Sequence, residues 1–238
     1  MSFEKSELYA TQVSSLRVNY RGERQVRVKK FLDEALALLL LIVLSPLIGS
    51  IALVLWVTMG RPVLFRQERS GLSGRPFQII KFRTMTDKRD SSGRALPDEM
   101  RLTALGRFLR ALSLDELPEL WNVVRGELSL VGPRPLMARY LERYSPEQAR
   151  RHEVMPGITG WAQINGRNGL TWEQKFALDV WYVDNWSLAL DLRILVKTFW
   201  CVLKRDGICP SDCPSVPEFM GNGSLGESKA PLQRRWEI

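Results

Sequence analysis

The chain has 238 residues, enough for one domain with a substantial hydrophobic core. Its 34 lysines and arginines outnumber its 26 aspartates and glutamates, and the formal charge of +8 predicts an anionic partner such as nucleic acid, lipid headgroups or a phosphorylated substrate. The three cysteines are an odd number and no secretion signal accompanies them, so a disulfide framework is excluded.

A run without charged residues extends over 35–60 and exceeds the roughly 20 apolar residues that a spanning helix needs. Ser45 and Pro46 lie in its middle, where the proline removes a backbone donor and crowds the carbonyl of Ile42. Backbone groups freed at a break must find partners within the protein, and the Ser45 hydroxyl is one local candidate. Both flanks are basic, although a spanning helix favours positive charge on the cytoplasmic side. A re-entrant helix over 29–60 that turns at Ser45-Pro46 satisfies both flanks, and a kinked single-pass anchor is the alternative.

A β-hairpin is predicted between Pro62 and Arg83, with PVLFRQE and RPFQIIKFR as strands and SGLSG as the turn. Further on, Ser113 and Glu116 have the spacing of a capping box and are followed by apolar residues at helical intervals. This pattern predicts a helix that begins at Ser113 and ends near Gly126.

Two more helices are predicted towards the end of the chain. Thr171 and Gln174 form a second capping box. The last helix, over 191–205, carries basic residues on one face and apolar residues on the other. It is typical either of a helix on a membrane surface or of a helix that faces the core, and both interpretations stay open here.

These patterns divide the chain into four segments. They are a basic mobile extension (1–28), the re-entrant membrane helix (29–60), a catalytic domain (61–206) and a flexible C-terminal tail (207–238). The tail includes Cys209 and Cys213, whose spacing allows a zinc site. The only histidine is His152 and no fourth ligand is evident, so free thiols are the better interpretation.

The candidate chemistry centres on two adjacent acids, Asp115 and Glu116. Acids in the first turn of a helix also stabilise the helix dipole, and that is the structural alternative. The neighbourhood favours a site: Arg134 lies in a GPRP turn, and Lys81 and Arg83 lie on the hairpin. Carboxylates, cations and a helix start together predict a magnesium–pyrophosphate site, because Mg²⁺ takes one or two carboxylates and completes its shell with phosphate and water.

Further polar groups lie in the glycine-rich segment Pro156–Gly169. Gln163 and Arg167 of this segment are candidates for contact with a nucleotide or a sugar, with ordinary loop structure as the alternative. Asp179 is interpreted as a structural residue.

Over about 28–207 the chain resembles the bacterial sugar transferases, the monotopic phosphoglycosyl transferases, and most closely their small PglC-type enzymes. Several long motifs in the same order carry the resemblance, which makes it far more specific than a single glycine motif. They are the Ser45-Pro46 break, KFRTM, SLDELPELWNVVRGELSLVGPRP, and PGITGWAQINGRN followed by FALDVWYVDNWSLALDLRIL.

The resemblance implies a mainly α fold with a small β-hairpin (α+β). It further implies a monotopic membrane protein with a re-entrant N-terminal helix, broken at Ser45-Pro46, and interfacial amphipathic helices. Its place would be the bacterial inner membrane, with the catalytic domain on the cytoplasmic face. Its partners would be a UDP-sugar, undecaprenyl phosphate and membrane lipids.

The resemblance also implies a two-step reaction. Asp115 attacks the phosphate attached to the sugar, UMP leaves, and polyprenyl phosphate then attacks the aspartyl-phosphosugar intermediate. Glu116 and Asp115 hold Mg²⁺, and Lys81 and Arg134 match family positions that contact phosphate.

Two other classes of protein fit the sequence less well. A membrane-tethered nucleotide-sugar binding or scaffold protein without turnover would not need the intact acid pair together with Lys81 and Arg134. A nucleic-acid binder needs a basic helix or an aromatic platform outside the membrane part. The cations here flank apolar segments or lie near the acids, so no nucleic acid is expected.

Overall fold

A computed structural model describes residues 23–166, 169–204 and 218–221 of the chain. Most of the predicted extension and tail, with Cys209, Cys213 and Arg167, lies outside the described residues. The fold is mainly helical with a small antiparallel hairpin, as predicted. The helices are α1 (Glu23–Met59), α2 (Asp98–Arg101), α3 (Ala104–Ala111), α4 (Glu119–Val124), α5 (Pro146–Ala149), α6 (Trp161–Ile164), α7 (Trp172–Asn185) and α8 (Leu188–Lys204).

The strands form two separate pairs. Strands β1 (Leu64–Ser70) and β2 (Pro76–Phe82) make the predicted hairpin, closed by a short 3₁₀ turn. Strands β3 (Ser129–Val131) and β4 (Gly157–Thr159) form a parallel pair that the sequence did not reveal. Three residues are too few to show the alternation that identifies a strand.

Helix α1 has 37 residues and begins at Glu23, within the segment predicted as a mobile extension. Its backbone stays helical through Ser45 and Pro46, so the predicted break is not a loop. The Ser45 hydroxyl donates to the carbonyl of Ile42 at 2.8 Å, which confirms the predicted local partner. This is the carbonyl that Pro46, having no N–H, leaves without its helical donor.

Both ends of α1 contact the same folded domain. Near its start, Lys29 Nζ lies 2.6 Å from Asp191 Oδ2 of α8. Near its end, Leu55 is buried against Phe82 of β2, and the carbonyl of Met59 accepts from the Arg83 guanidinium. A straight helix of 37 residues is about 55 Å long, while the hydrocarbon layer is about 30 Å thick. If α1 crossed the layer, its two ends would lie on opposite sides and could not both contact the same domain. The packing therefore fits a helix that is anchored from one side of the membrane.

The outer side of α1 is apolar and exposed. By length and composition, α1 is the one helix of the described residues that could cross a membrane. Its inner side packs on the domain through Ala37, Ile51 and Leu55. The large apolar residues left exposed are Val28, Phe31, Leu32, Leu36, Leu38, Leu39, Ile42, Val43, Leu47, Leu53, Val54, Trp56 and Val57. An apolar surface of this size indicates contact with lipid.

Helix α8 begins at Leu188, three residues before the predicted start. One side of the helix faces the core and the other side is exposed. Asp191 and Ile194 are buried, whereas Leu192, Val196 and Phe199 are exposed. Because the Lys29–Asp191 ion pair holds the start of α8 beside α1, this exposed stripe lies near the apolar helix. The arrangement favours the membrane-surface interpretation of this helix.

The predicted flexible tail contains a packed segment. Phe219 is only 4% exposed and joins an aromatic cluster with Tyr140 and Phe176. Glu218 pairs with Arg143 at 2.9 Å. The prediction of flexibility was therefore wrong for 218–221, because composition alone does not show that one aromatic residue fills a pocket between other elements.

Candidate active site

The segment around the two acids differs from the prediction. Ser113 has a left-handed backbone (φ 55°) and makes no capping hydrogen bond, so the predicted capping box was wrong. A 3₁₀ turn over Leu114–Glu116 follows, and α4 begins only at Glu119. The Glu116 side chain turns away from the Ser113 amide because two cations bind it more strongly than a cap would. By contrast, the Thr171–Gln174 capping box is confirmed.

Asp115 is held at the edge of the core. Its neighbours Leu114 and Leu117 pack on the apolar cluster that contains Leu55 of α1. Asp115 itself is 9% exposed, and its carboxylate makes no hydrogen bond or ion pair within 23–166, 169–204 and 218–221. Burial, followed by repulsion from Glu116, raises the pKa of Asp115.

Glu116 is bound by both predicted cations. Its Oε1 accepts from Lys81 Nζ at 2.6 Å and from Arg134 Nη2 at 2.5 Å. Burial opposes ionisation of this carboxyl, but Arg134 and Lys81 outweigh it and hold the pKa of Glu116 well below its usual range. The two adjacent acids therefore have different environments, which is the usual basis for different chemical roles.

Glu119 is a third carboxylate at the site, and the sequence analysis missed it. Its Oε1 lies 2.8 Å from Lys81 Nζ, so Lys81 is shared between Glu116 and Glu119. Glu119 is 2% exposed; burial, and then Glu116, raise its pKa to about 7. The available signal was its spacing of three residues from Glu116, which places both on one side of the turn.

Arg134 is positioned through its backbone. Its carbonyl accepts a 2.7 Å hydrogen bond from Arg151 Nη2, and Arg151 is paired with Asp179 at 2.8 Å. Both members of that pair are buried, which agrees with the structural role predicted for Asp179. Gly132 lies two residues earlier, where a Cβ would come within 2.2 Å of the Met155 carbonyl. The turn that presents Arg134 is thus closely packed.

The other predicted site residues are not brought to the acids. Arg83 binds the carbonyls of Met59 and Gly60 at the end of α1, where a cation stabilises unpaired helix carbonyls. Gln163 lies in α6, and both polar atoms of its side chain are buried without a partner among the described residues. Ser45 and Pro46 lie within α1, away from the carboxylates. A contact with substrate stays a prediction for Arg83, Gln163 and Arg167.

The acids can serve as part of a metal site but do not complete one. Within the described parts of the chain, no group of three or more aspartate, glutamate, histidine or cysteine side chains is placed to hold a metal ion. Asp115 offers a carboxylate that no other residue of the described ranges binds. An ion bound here would take its remaining ligands from phosphate and water, which is common for Mg²⁺. The residues therefore fit an ion that arrives with a phosphorylated ligand.

The fold and the site together define a membrane-associated protein with adjacent carboxylates, one of which is bound by Lys81 and Arg134. The family profile described as bacterial sugar transferase matches residues 24–205. This match covers well over half of the chain, and the chain belongs to the bacterial sugar transferase family.

Individual relatives support this membership. The uncharacterized sugar transferase EpsL of Bacillus subtilis is 55% identical over 198 residues, which are 83% of this chain and 98% of that protein. The UDP-glucose:undecaprenyl-phosphate glucose-1-phosphate transferase of Caulobacter vibrioides is 43% identical over 188 residues, 75% of this chain and 70% of the relative. The undecaprenyl-phosphate galactose phosphotransferase of Salmonella typhimurium is 37% identical over 226 residues, 86% of this chain and 47% of the longer protein.

Proposed function

We propose that this chain is a polyprenyl-phosphate sugar-1-phosphate transferase that uses a UDP-sugar as donor and undecaprenyl phosphate as acceptor. The observation that carries the proposal is the pair of adjacent acids: Asp115 has no hydrogen-bond or ion-pair partner among the described residues, and Glu116 is bound by Lys81 and Arg134. Family membership and the activities named for the relatives from Caulobacter and Salmonella support it.

In the first step, a carboxylate oxygen of Asp115 attacks the phosphorus that carries the sugar. The bond from this phosphorus to the bridging oxygen breaks, and UMP leaves with that oxygen. The enzyme then carries a phosphosugar as an acyl phosphate on Asp115. In the second step, a phosphate oxygen of the polyprenyl phosphate attacks the same phosphorus, which releases the Asp115 carboxylate and gives the polyprenyl diphosphate sugar. Asp115 suits this role because no cation in the described part of the chain pairs directly with its carboxylate.

The cations offset the charge that collects in the cleft. Two carboxylates would repel a diphosphate unless positive charge compensated for them. Lys81 and Arg134 supply that charge at the place where negative charge develops on the leaving phosphate. Glu116 and Glu119 hold Lys81 between them at 2.6 and 2.8 Å. This placement fixes the ammonium group before substrate binds, so less ordering is needed during reaction.

Magnesium is part of the proposal. Asp115 and Glu116 would hold the ion together with phosphate oxygens and water. When bound, Mg²⁺ supplies charge stabilisation at the transferring phosphate. Glu116, which already binds two cations, keeps its carboxylate ionised for this purpose at neutral pH.

We propose that the catalytic domain lies on the cytoplasmic face of the inner membrane, with both ends of α1 on that side. Single cysteines at Glu23 and at Arg61, in a variant without the native cysteines, should both resist an impermeant thiol reagent added to spheroplasts. Both should react after lysis. Labelling of only one position in intact spheroplasts would mean that α1 crosses the membrane, and labelling of both would place the domain on the outer face.

The activity itself is tested with the full chain purified in detergent. We expect UMP release that requires Mg²⁺ and undecaprenyl phosphate and occurs with at least one member of a UDP-sugar panel. The lipid product should appear in the organic phase in equal amount. Absence of release across a broad panel, with the protein shown to be folded, would contradict the proposal and favour a nucleotide-sugar binding or scaffold protein.

A further inference from the structure

The two faces of the β1–β2 hairpin have different surroundings. Arg69 lies opposite Phe77 and Gln67 lies opposite Ile79, so Arg69 shares its face with Ile79 and Lys81. Arg66 lies on the other face of the same strand. The hairpin therefore directs a second cation, beside Lys81, to the side that faces Glu119.

Arg69 is held in place without a direct ion pair among the described residues, although the carboxylate of Glu119 lies near enough to attract it. Its Nη2 donates to Gln67 Oε1 at 2.6 Å, and its Nη1 lies 3.5 Å from the Pro135 carbonyl. Its Nε is buried without a hydrogen-bond partner, and Arg69 forms no ion pair with the described part of the chain. The end of β1 is fixed to the turn that follows Arg134 by a 2.9 Å hydrogen bond from the Ser70 amide to the Leu136 carbonyl.

An unpaired cation at such a place needs an explanation. An unpartnered, buried N–H of a charged group costs free energy that a bound anion would recover. Burial, and then the like charge of Arg134, lower the pKa of Arg69. Two guanidinium groups that repel each other across a small space are suited to an anion between them.

The space between them is a small cavity beside the acids. Its lining comprises Arg69, Ile79, Lys81, Glu119, Arg134 and Pro135. Neither Asp115 nor Glu116 belongs to this lining, so the cavity lies on the Glu119 side of the cluster. Arg134 lines the cavity and also binds Glu116, and its side chain is 46% exposed, so the cavity lies just beneath the surface on this side.

We propose that Arg69, together with Lys81 and Arg134, binds the nucleotide-side phosphate of the donor, the phosphate that leaves with UMP. This inference rests on the proposed function. The sugar-bearing phosphorus must lie next to Asp115, and the second phosphate of a diphosphate is one bridging oxygen away. Because Lys81 and Arg134 contact Glu116 and also line the cavity, a diphosphate that they bind extends from the acids towards Arg69.

The test is the affinity for UMP, measured by calorimetry with the full-length protein in detergent and Mg²⁺. Losing a charge-assisted contact to phosphate should weaken UMP binding by about 10- to 100-fold in Arg69→Gln. Arg69→Lys keeps the charge but loses the planar fork, so several-fold weakening is expected. Arg66→Gln is the matched control, from the same strand but the opposite face, and should bind UMP like the wild type.

The outcomes separate this inference from the proposed function, because UMP binding does not require turnover. Arg69-dependent UMP affinity in a protein that transfers none of the sugars would support the phosphate site and contradict the reaction. Sugar transfer with UMP affinity and donor KM unchanged in both Arg69 variants would overturn the phosphate site alone. Lack of UMP binding by the wild type would also overturn it. Thermal unfolding verifies that each variant is folded. If Arg69→Gln does not fold, the UMP affinity of Arg69→Lys provides the test.

Discussion

Replacing Asp115 by asparagine is expected to lower sugar-phosphate transfer by a factor of about 1000 or more, as losses of a catalytic nucleophile do, without unfolding the protein. The amide has nearly the same shape but cannot form the acyl phosphate. Burial raises the pKa of Asp115, so the folded state gains nothing from the charge at this position. The melting temperature of the variant should equal or exceed that of the wild type.

Two measurements check this prediction. UMP release gives the rate, and intact-protein mass spectrometry with donor but no acceptor should detect a phosphosugar adduct on the wild type alone. Asp184→Asn is the control, because Asp184 makes only an exposed pair with Arg150 and lies outside the cleft. Transfer at wild-type rates by the Asp115 variant, or an adduct that persists in it, would rule out Asp115 as the nucleophile.

Replacing Arg151 by methionine is expected to destabilise the fold by about 3–5 kcal/mol, because it leaves Asp179 as a buried charge without a partner. The Arg151 and Asp179 side chains are 2% and 5% exposed and lie 2.8 Å apart. The variant also loses the hydrogen bond to the Arg134 carbonyl, so activity should fall further than the unfolded fraction explains. Chemical unfolding in detergent, followed by tryptophan fluorescence, measures the change.

The neighbouring arginine provides the control. Arg150 pairs with the exposed Glu147 and Asp184 and, at a longer 3.4 Å, with Glu153, and its own side chain is 28% exposed. Arg150→Met should cost less than about 1 kcal/mol, as exposed ion pairs usually do. The double variant Arg151→Met, Asp179→Leu should recover much of the lost stability, since it removes both charges. If the Arg150 and Arg151 single variants lowered the free energy of unfolding equally, the buried pair would contribute no more stability than the surface pairs.

The sequence predicted the features that depend on local pattern. The hairpin, the long apolar helix and the Thr171–Gln174 capping box follow from alternation, from a run without charge and from a spacing of three residues. The Ser45 hydroxyl was predicted as a local partner for backbone groups, but its acceptor was not; the structure shows that it is the Ile42 carbonyl, which Pro46 leaves without a helical donor.

The features that the sequence did not reveal depend on contacts between distant segments. The capping box at Ser113 fails because Lys81 and Arg134 bind Glu116, and their positions are set by the hairpin and by the turn after β3. Arg69 and Arg151 look like ordinary surface cations in the sequence. Their partners, and for Arg69 the absence of one in the described residues, appear only once the chain is folded.

Two consecutive residues of strand β2 connect the membrane helix α1 to the candidate active site. Phe82 packs on α1 from one face of the strand, and Lys81, its neighbour in sequence, contacts Glu116 from the other. Adjacent residues of a strand are only about 3.3 Å apart along its axis, and the paired backbone is stiff. In the proposed reaction, the height of the reacting phosphate above the hydrocarbon would therefore be a fixed dimension of the molecule. A lipid phosphate that diffuses within the bilayer would arrive at this level without any search perpendicular to the membrane.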